Sequence, residues 1–123
     1  MALSITKFQD SFDHKVVRET VCTNTAKVNV TGSSGSIFSI NLINGTASAA
    51  YFKFFNTNTV TMGTTTADLV IRVAATSTTN ISIPGGLHFE NLSFACTRNQ
   101  DPQDNTALVA NNGALVDVQL VCS

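Results

Sequence analysis

Between Ile81 and Thr97 the chain holds a histidine, a carboxylate and a cysteine, His88, Glu90 and Cys96, just after the run Pro84-Gly85-Gly86. Imidazole, acid and thiol are the parts of a nucleophilic site, but they act only when base and nucleophile lie within hydrogen-bonding reach. Period-two alternation argues against that. With Leu87 and Phe89 turned to the core, His88 and Glu90 face outward. A break at Glu90-Asn91 then resets the register, so that Leu92, Phe94 and Cys96 turn inward. His88 and Cys96 are expected on opposite faces, with His88 at solvent or at an interface. The Pro-Gly-Gly run is not followed by the helix that a phosphate-cradling loop requires, and it reads as a chain-reversing corner between strands.

The stretch Arg98 to Asn105, RNQDPQDN, offers Asn99, Asp101, Asp104 and Asn105 as oxygen ligands. Calcium takes six to eight oxygens, and the EF-hand spacing with its distal Glu does not occur here. Asp and Asn beside Pro are also ordinary turn formers, which is the reading preferred. The remaining acids, Asp10, Asp13, Glu19, Asp68, Glu90 and Asp117, are scattered, so no acid/base pair is predicted. The expectation is a chain with no catalytic, cofactor-binding or metal-binding residues.

Composition describes the scaffold around these residues. In 123 residues, 43% are hydrophobic but only 12% are charged, and the polar remainder is dominated by Thr, Asn and Ser. β-Branched Thr suits a pleated surface, while Asn and Ser suit turns. A net charge of −1, without any Lys/Arg cluster, gives no electrostatic reason for nucleic-acid binding. Met1 to Asp10 lacks the apolar core of a signal peptide and no run is long enough for a membrane span, which predicts cytoplasmic synthesis and no membrane partner. Cys22, Cys96 and Cys122 are far apart and without Cys-x-x-Cys spacing, so they are expected as buried free thiols.

Alternation recurs along the chain. Lys27 to Thr31 alternates; Phe38, Ile40 and Leu42 share one face; Asn44-Gly45 signals a hairpin leading into Ala49 to Phe55. Leu69, Ile71 and Val73, then Ile81 and Ile83, and finally Val116, Val118, Leu120 and Cys122 continue the pattern. Seven to nine short strands follow, with at most a helical turn within Ser4 to Arg18. The expected fold is all-β, an antiparallel β-sandwich, jelly-roll-like, with an extended amino-terminal arm over residues 1–15 and a single sandwich domain over 16–123.

One strand is unusual. In Tyr51-Phe52-Lys53-Phe54-Phe55 the core takes Phe52 and Phe54, which leaves Tyr51 and Phe55 beside Lys53 on a face that should meet water. Cover by a subunit, by a loop or by the arm would explain it. Phe8 and Phe12 of the arm are candidates for the same contact, packing on their own sandwich or on a neighbour.

The segments YFKFFNTNTVTMGTTTADLVIRVAA and NISIPGGLHFENLSFACT together resemble a group of small virion proteins of tailed bacteriophages. The likeness is carried by Tyr51, Lys53, Phe54, Val60, Gly63, Thr64, Leu69, Ile71, Ile83, Gly86, Leu87, Phe89, Ser93 and Thr97, a pattern of strands and turns spanning Tyr51 to Thr97. The resemblance implies a non-enzymatic capsid decoration or cement protein on the capsid surface, a homotrimer whose partners are its own subunits and the major capsid protein. A tail or head-fibre protein meeting the host through Asn56 to Thr66 and Arg98 to Gly113 is the alternative. A carbohydrate-binding or hydrolytic β-sandwich is a further one, weakened by the lack of Trp and the single Tyr.

Overall fold

The computed structural model describes residues 3–7 and 14–123; Phe8 and Phe12 lie outside the described residues. Eight strands are present: β1 (Leu3–Lys7), β2 (Lys15–Cys22), β3 (Gly35–Asn44), β4 (Ala50–Phe55), β5 (Leu69–Val73), β6 (Ser77–Phe89), β7 (Ser93–Thr97) and β8 (Val116–Cys122). They form two antiparallel sheets, β1-β2-β8-β3-β6 and β5-β4-β7, and no helix occurs among the described residues. The chain is an all-β sandwich. Residues 23–30 extend the smaller sheet along β7, through Cys96 N to Thr23 O (2.9 Å), a reciprocal Lys27–Phe94 pair and Val30 N to Leu92 O (2.9 Å). With that segment counted, the layers run β2-β8-β3-β6 and 23–30-β7-β4-β5, the double Greek-key winding of a jelly roll.

β8 alternates as its sequence predicts, with Val116, Val118, Leu120 and Cys122 buried and Asp117 and Gln119 half-buried. Across the sandwich it faces Phe52, Phe54, Leu92, Phe94 and Cys96 in one core. The Phe52 and Phe94 rings lie 5.8 Å apart and tilted. Burial of apolar side chains from two inner faces is the main stabilising term.

Four local expectations are corrected. Asn44-Gly45 is not a hairpin: β3 and β4 belong to different sheets. The Asn44 side chain is buried; its Nδ2 donates to the carbonyls of Ser48, Val73 and Ala74, and its Oδ1 accepts from Thr46 N and Oγ1. The dipeptide therefore pins a crossover between sheets. Pro84-Gly85-Gly86 does not reverse the chain either. It is a bulge inside β6, where Ile37 pairs with Leu87 and Ser39 with Ser82, leaving 83–86 opposite Phe38. Gly86 sits at φ +79, and a Cβ there would approach Ser36 Cβ to 2.9 Å and the Phe38 ring to 3.0 Å, so the bulge needs glycine.

β3 is irregular at the same point, because against β8 Ile37 pairs with Cys122 and Ser39 with Val121, which leaves Phe38 as an extra residue. Ile37 takes the core position, while Phe38 is only half-buried and packs edge-on against His14, ring centroids 5.1 Å apart. Lys27 to Thr31 forms one bridge rather than a strand, because Asn29 adopts φ +47 and gives its N–H to Ser93 Oγ (2.9 Å). Within Ser4 to Arg18, the stretch considered for a helical turn, residues 4–7 and 15–18 pair as strands, Ile5 opposite Val17, and residues 8–13 lie outside the described residues.

Candidate interaction surface

Strands β4 and β7 of the smaller sheet are covered on both faces. All five residues of β7 are buried, and in β4 only Tyr51 retains partial exposure. Directly opposite residues of paired strands share a face. Lys53 stands opposite Ala95, and Phe55 opposite Ser93, so these four lie on the outer face with Tyr51 and Thr97, and of the six only Tyr51 is not buried. The cover comes from the chain itself. Lys53 Nζ donates to the backbone carbonyls of Asp101 (2.6 Å) and Asp104 (3.1 Å), which holds the connection after β7 down on the sheet.

A buried ammonium survives only when its donors are satisfied and a counter-charge is near. Burial lowers the Lys53 pKa, and the negative charges of Asp104 and Asp101 oppose that shift. Asp104 is held by its surroundings too. Burial acts to raise its pKa, but hydrogen bonds from Thr106 Oγ1 (2.7 Å) and N (3.0 Å), a contact from Asn99 and the charge of Lys53 outweigh it and leave the pKa lowered. Asp101 Oδ1 caps Gln103 N at 2.9 Å. The carboxylates of the RNQDPQDN stretch thus build a turn, and no metal-binding group of three acidic, His or Cys residues occurs among the described residues.

The loops knit together over this face. Gln103 Nε2 donates to Thr64 O and Thr66 Oγ1, Ala67 N to Pro102 O, and Asn24 Nδ2 to both oxygens of Asn105. Val60, Met62 and Val28 meet Asn24, Thr25 and Asn105 in a shallow hollow at the rim of this layer. No aromatic ring lines it. Tyr51 lies on another part of the surface, beside Val70, Arg72 and Gln100.

The triad-like residues do not converge. His88 and Glu90 pair with each other at 2.9 Å on the exposed surface, whereas Cys96 is fully buried in the core, so the opposite-face expectation holds. The break expected to reset the register is instead a crossover from β6 in the larger sheet to β7 in the smaller one, where Asn56 Oδ1 accepts from Glu90 N (2.7 Å) and Asn91 N (3.2 Å). Cys22, Cys96 and Cys122 are all buried. Burial, then the adjoining Cys22 thiol, pushes the Cys96 pKa well up, and burial raises that of Cys122. Thiols held in this way are poor nucleophiles.

Of the interface candidates, Lys53 and Phe55 are already covered within one chain and Tyr51 is half-exposed. Sequence reasoning missed Lys53 as a loop anchor, Asn44 as a crossover hub and Asn56 as a cap. The signal for Lys53 was the aromatic flanking of a lone cation, which marks a covered face without saying what covers it. No family model, curated protein or solved structure matches this chain.

Proposed function

We propose that this chain is a non-enzymatic structural protein of a phage particle, a decoration or cement protein that binds the head lattice as a homo-oligomer and stabilises it. One observation supports the reading: the strand of Tyr51, Lys53 and Phe54, on which the resemblance to small virion proteins rests, builds a latch in which Lys53 clamps the chain's own loop. A motif spent on rigidity suits a part whose task is to hold shape. Matching positions elsewhere also build scaffold. Gly63 sits in a turn at φ +92, and Gly86 permits the β6 bulge.

Affinity for a lattice would come from multivalency, since several modest contacts made together bind far more tightly than one. The test is reconstitution. Purified protein added to heads assembled without it should bind saturably and delay thermal release of the packaged genome; heads that neither take it up nor gain heat resistance would refute the reading.

The alternative of host-surface contact has its own support in the loop layer, where the connections after Cys22, Phe55 and Thr97 meet through the Asn24–Asn105 and Gln103–Thr64 contacts. Specific binding of the purified protein to host cells, with none to heads, would favour it. The sugar-binding alternative finds little support, because the hollow at the rim lacks the aromatic platform that stacking requires.

A further inference from the structure

The larger sheet ends on β6, which has no strand partner on its outer side among the described residues. A strand edge carries a row of backbone donors and acceptors, and natural proteins protect such edges with charge, proline, short length or a covering loop. The half of β6 from Ser77 to Ile83 has none of the first three. It pairs continuously with β3 from Ser39↔Ser82 to Asn44↔Ser77, and the sequence carries no charged residue between Arg72 and His88. Pro84 and the bulge bring this regular stretch to an end.

The side of the sandwich beneath that edge is apolar. Leu69 and Ile71 of β5, the outer strand of the smaller sheet, and Ile81 and Ile83 of β6 pack on the core while remaining only partly buried. The margin therefore combines unpaired backbone with incompletely covered aliphatic side chains.

We infer that this edge pairs with β6 of a second copy of the chain, antiparallel about a two-fold axis at Asn80. A second copy is the occupant because the stretch is self-complementary. In that register Thr78 stands opposite Ser82 of the other copy, Thr79 opposite Ile81, and Asn80 opposite Asn80. Exposed Thr78, Asn80 and Ser82 then meet their like on the outer face, and on the inner one Thr79 meets Ile81 while Ile83 meets Ser77. No like charges are brought together. An isologous contact of this kind closes as a dimer. Backbone pairing supplies the affinity, and the alternating side chains set the register. The contact does not depend on the particle-binding role: an oligomer held by another surface would defeat this inference alone, whereas a chain monomeric at every concentration would count against the homo-oligomer of that role as well.

The test is size-exclusion chromatography with light scattering across a concentration series, using the whole chain and circular dichroism to verify folding. The wild type should show a monomer–dimer equilibrium. Thr78→Lys combined with Ser82→Lys, both at exposed positions, sets lysines opposite each other and should raise the dimer Kd about tenfold or more. Thr78→Lys combined with Ser82→Glu sets lysine opposite glutamate in the same register and should restore dimerisation to within about threefold of wild type. A wild-type chain that stays monomeric, a dimer indifferent to the double lysine change, or a Lys/Glu pair no better than Lys/Lys would each overturn the inference.

Discussion

Lys53 Nζ donates to the backbone carbonyl of Asp101 at 2.6 Å across 48 residues of sequence, joining the middle strand of the smaller sheet to the longest connection in the described chain. The bond turns an outward-facing cation into the floor of a second layer. Ala95, on the same face, is buried as well, while Ser93 is covered by Thr57 O and Asn29 N and Thr97 donates to Asn99 O.

Lys53→Met keeps the length of the side chain but leaves the Asp101 and Asp104 carbonyls without their ammonium donor. The variant should lose about 1–3 kcal/mol in urea unfolding, the cost of stranding buried polar groups. Limited proteolysis should cut first between Arg98 and Gly113. Wild-type stability with an equally protected loop would show that the latch is dispensable.

Asp104 sets an acid limit. Its folded pKa lies below the ordinary 3.8, so its contribution is fully present above that value and is lost as pH falls through the lower folded one. Asp104→Asn should be less stable than wild type at neutral pH, with the difference shrinking in titrations carried below pH 3.8. A gap that stayed constant down to the acid transition would contradict the assignment.

Gly45 is required by a close approach. A Cβ at that position would fall 2.7 Å from Ala114 Cβ and 3.3 Å from Leu115 O. Gly45→Ala should therefore destabilise by about 1–3 kcal/mol, the usual cost of overpacking. Ala114→Gly in the same chain should recover part of the loss, which a double-mutant cycle reads as coupling. Purely additive effects would place the strain elsewhere.

Phe55 and Tyr51, four residues apart on β4, should separate folding from assembly. Phe55→Ser removes a buried ring and should cost about 3–5 kcal/mol. Tyr51→Ser alters a half-exposed one, should cost about 1 kcal/mol or less, and should weaken particle binding if that surface meets the lattice. Equal melting curves for the two variants would mean that the outer layer does not shield Phe55.

The all-β sandwich was legible because period-two burial is written directly into β8, and a sandwich is the economical way to hide such faces. His88 and Cys96 could be separated by the same parity argument. What stayed hidden depended on tertiary partners. Asn44-Gly45 carries the local chemistry of a hairpin turn, yet the Asn44 amide is used up by carbonyls of Ser48, Val73 and Ala74, the last two about thirty residues away. Phe38 follows the alternation of Ile40 and Leu42 in sequence, but β3 is bulged there, with Ile37 opposite Cys122 and Ser39 opposite Val121, so Phe38 is the extra residue and leaves the core face. Nothing near Lys53 in sequence names Asp101 as its acceptor.

A cryo-electron microscopy map of the particle tests the central reading most directly. The account predicts density for this two-layered β-sandwich at symmetry-equivalent positions on the outer surface of the head, bridging neighbouring capsomers. Density confined to the tail or its fibres, or a particle that does not contain the protein, would contradict it.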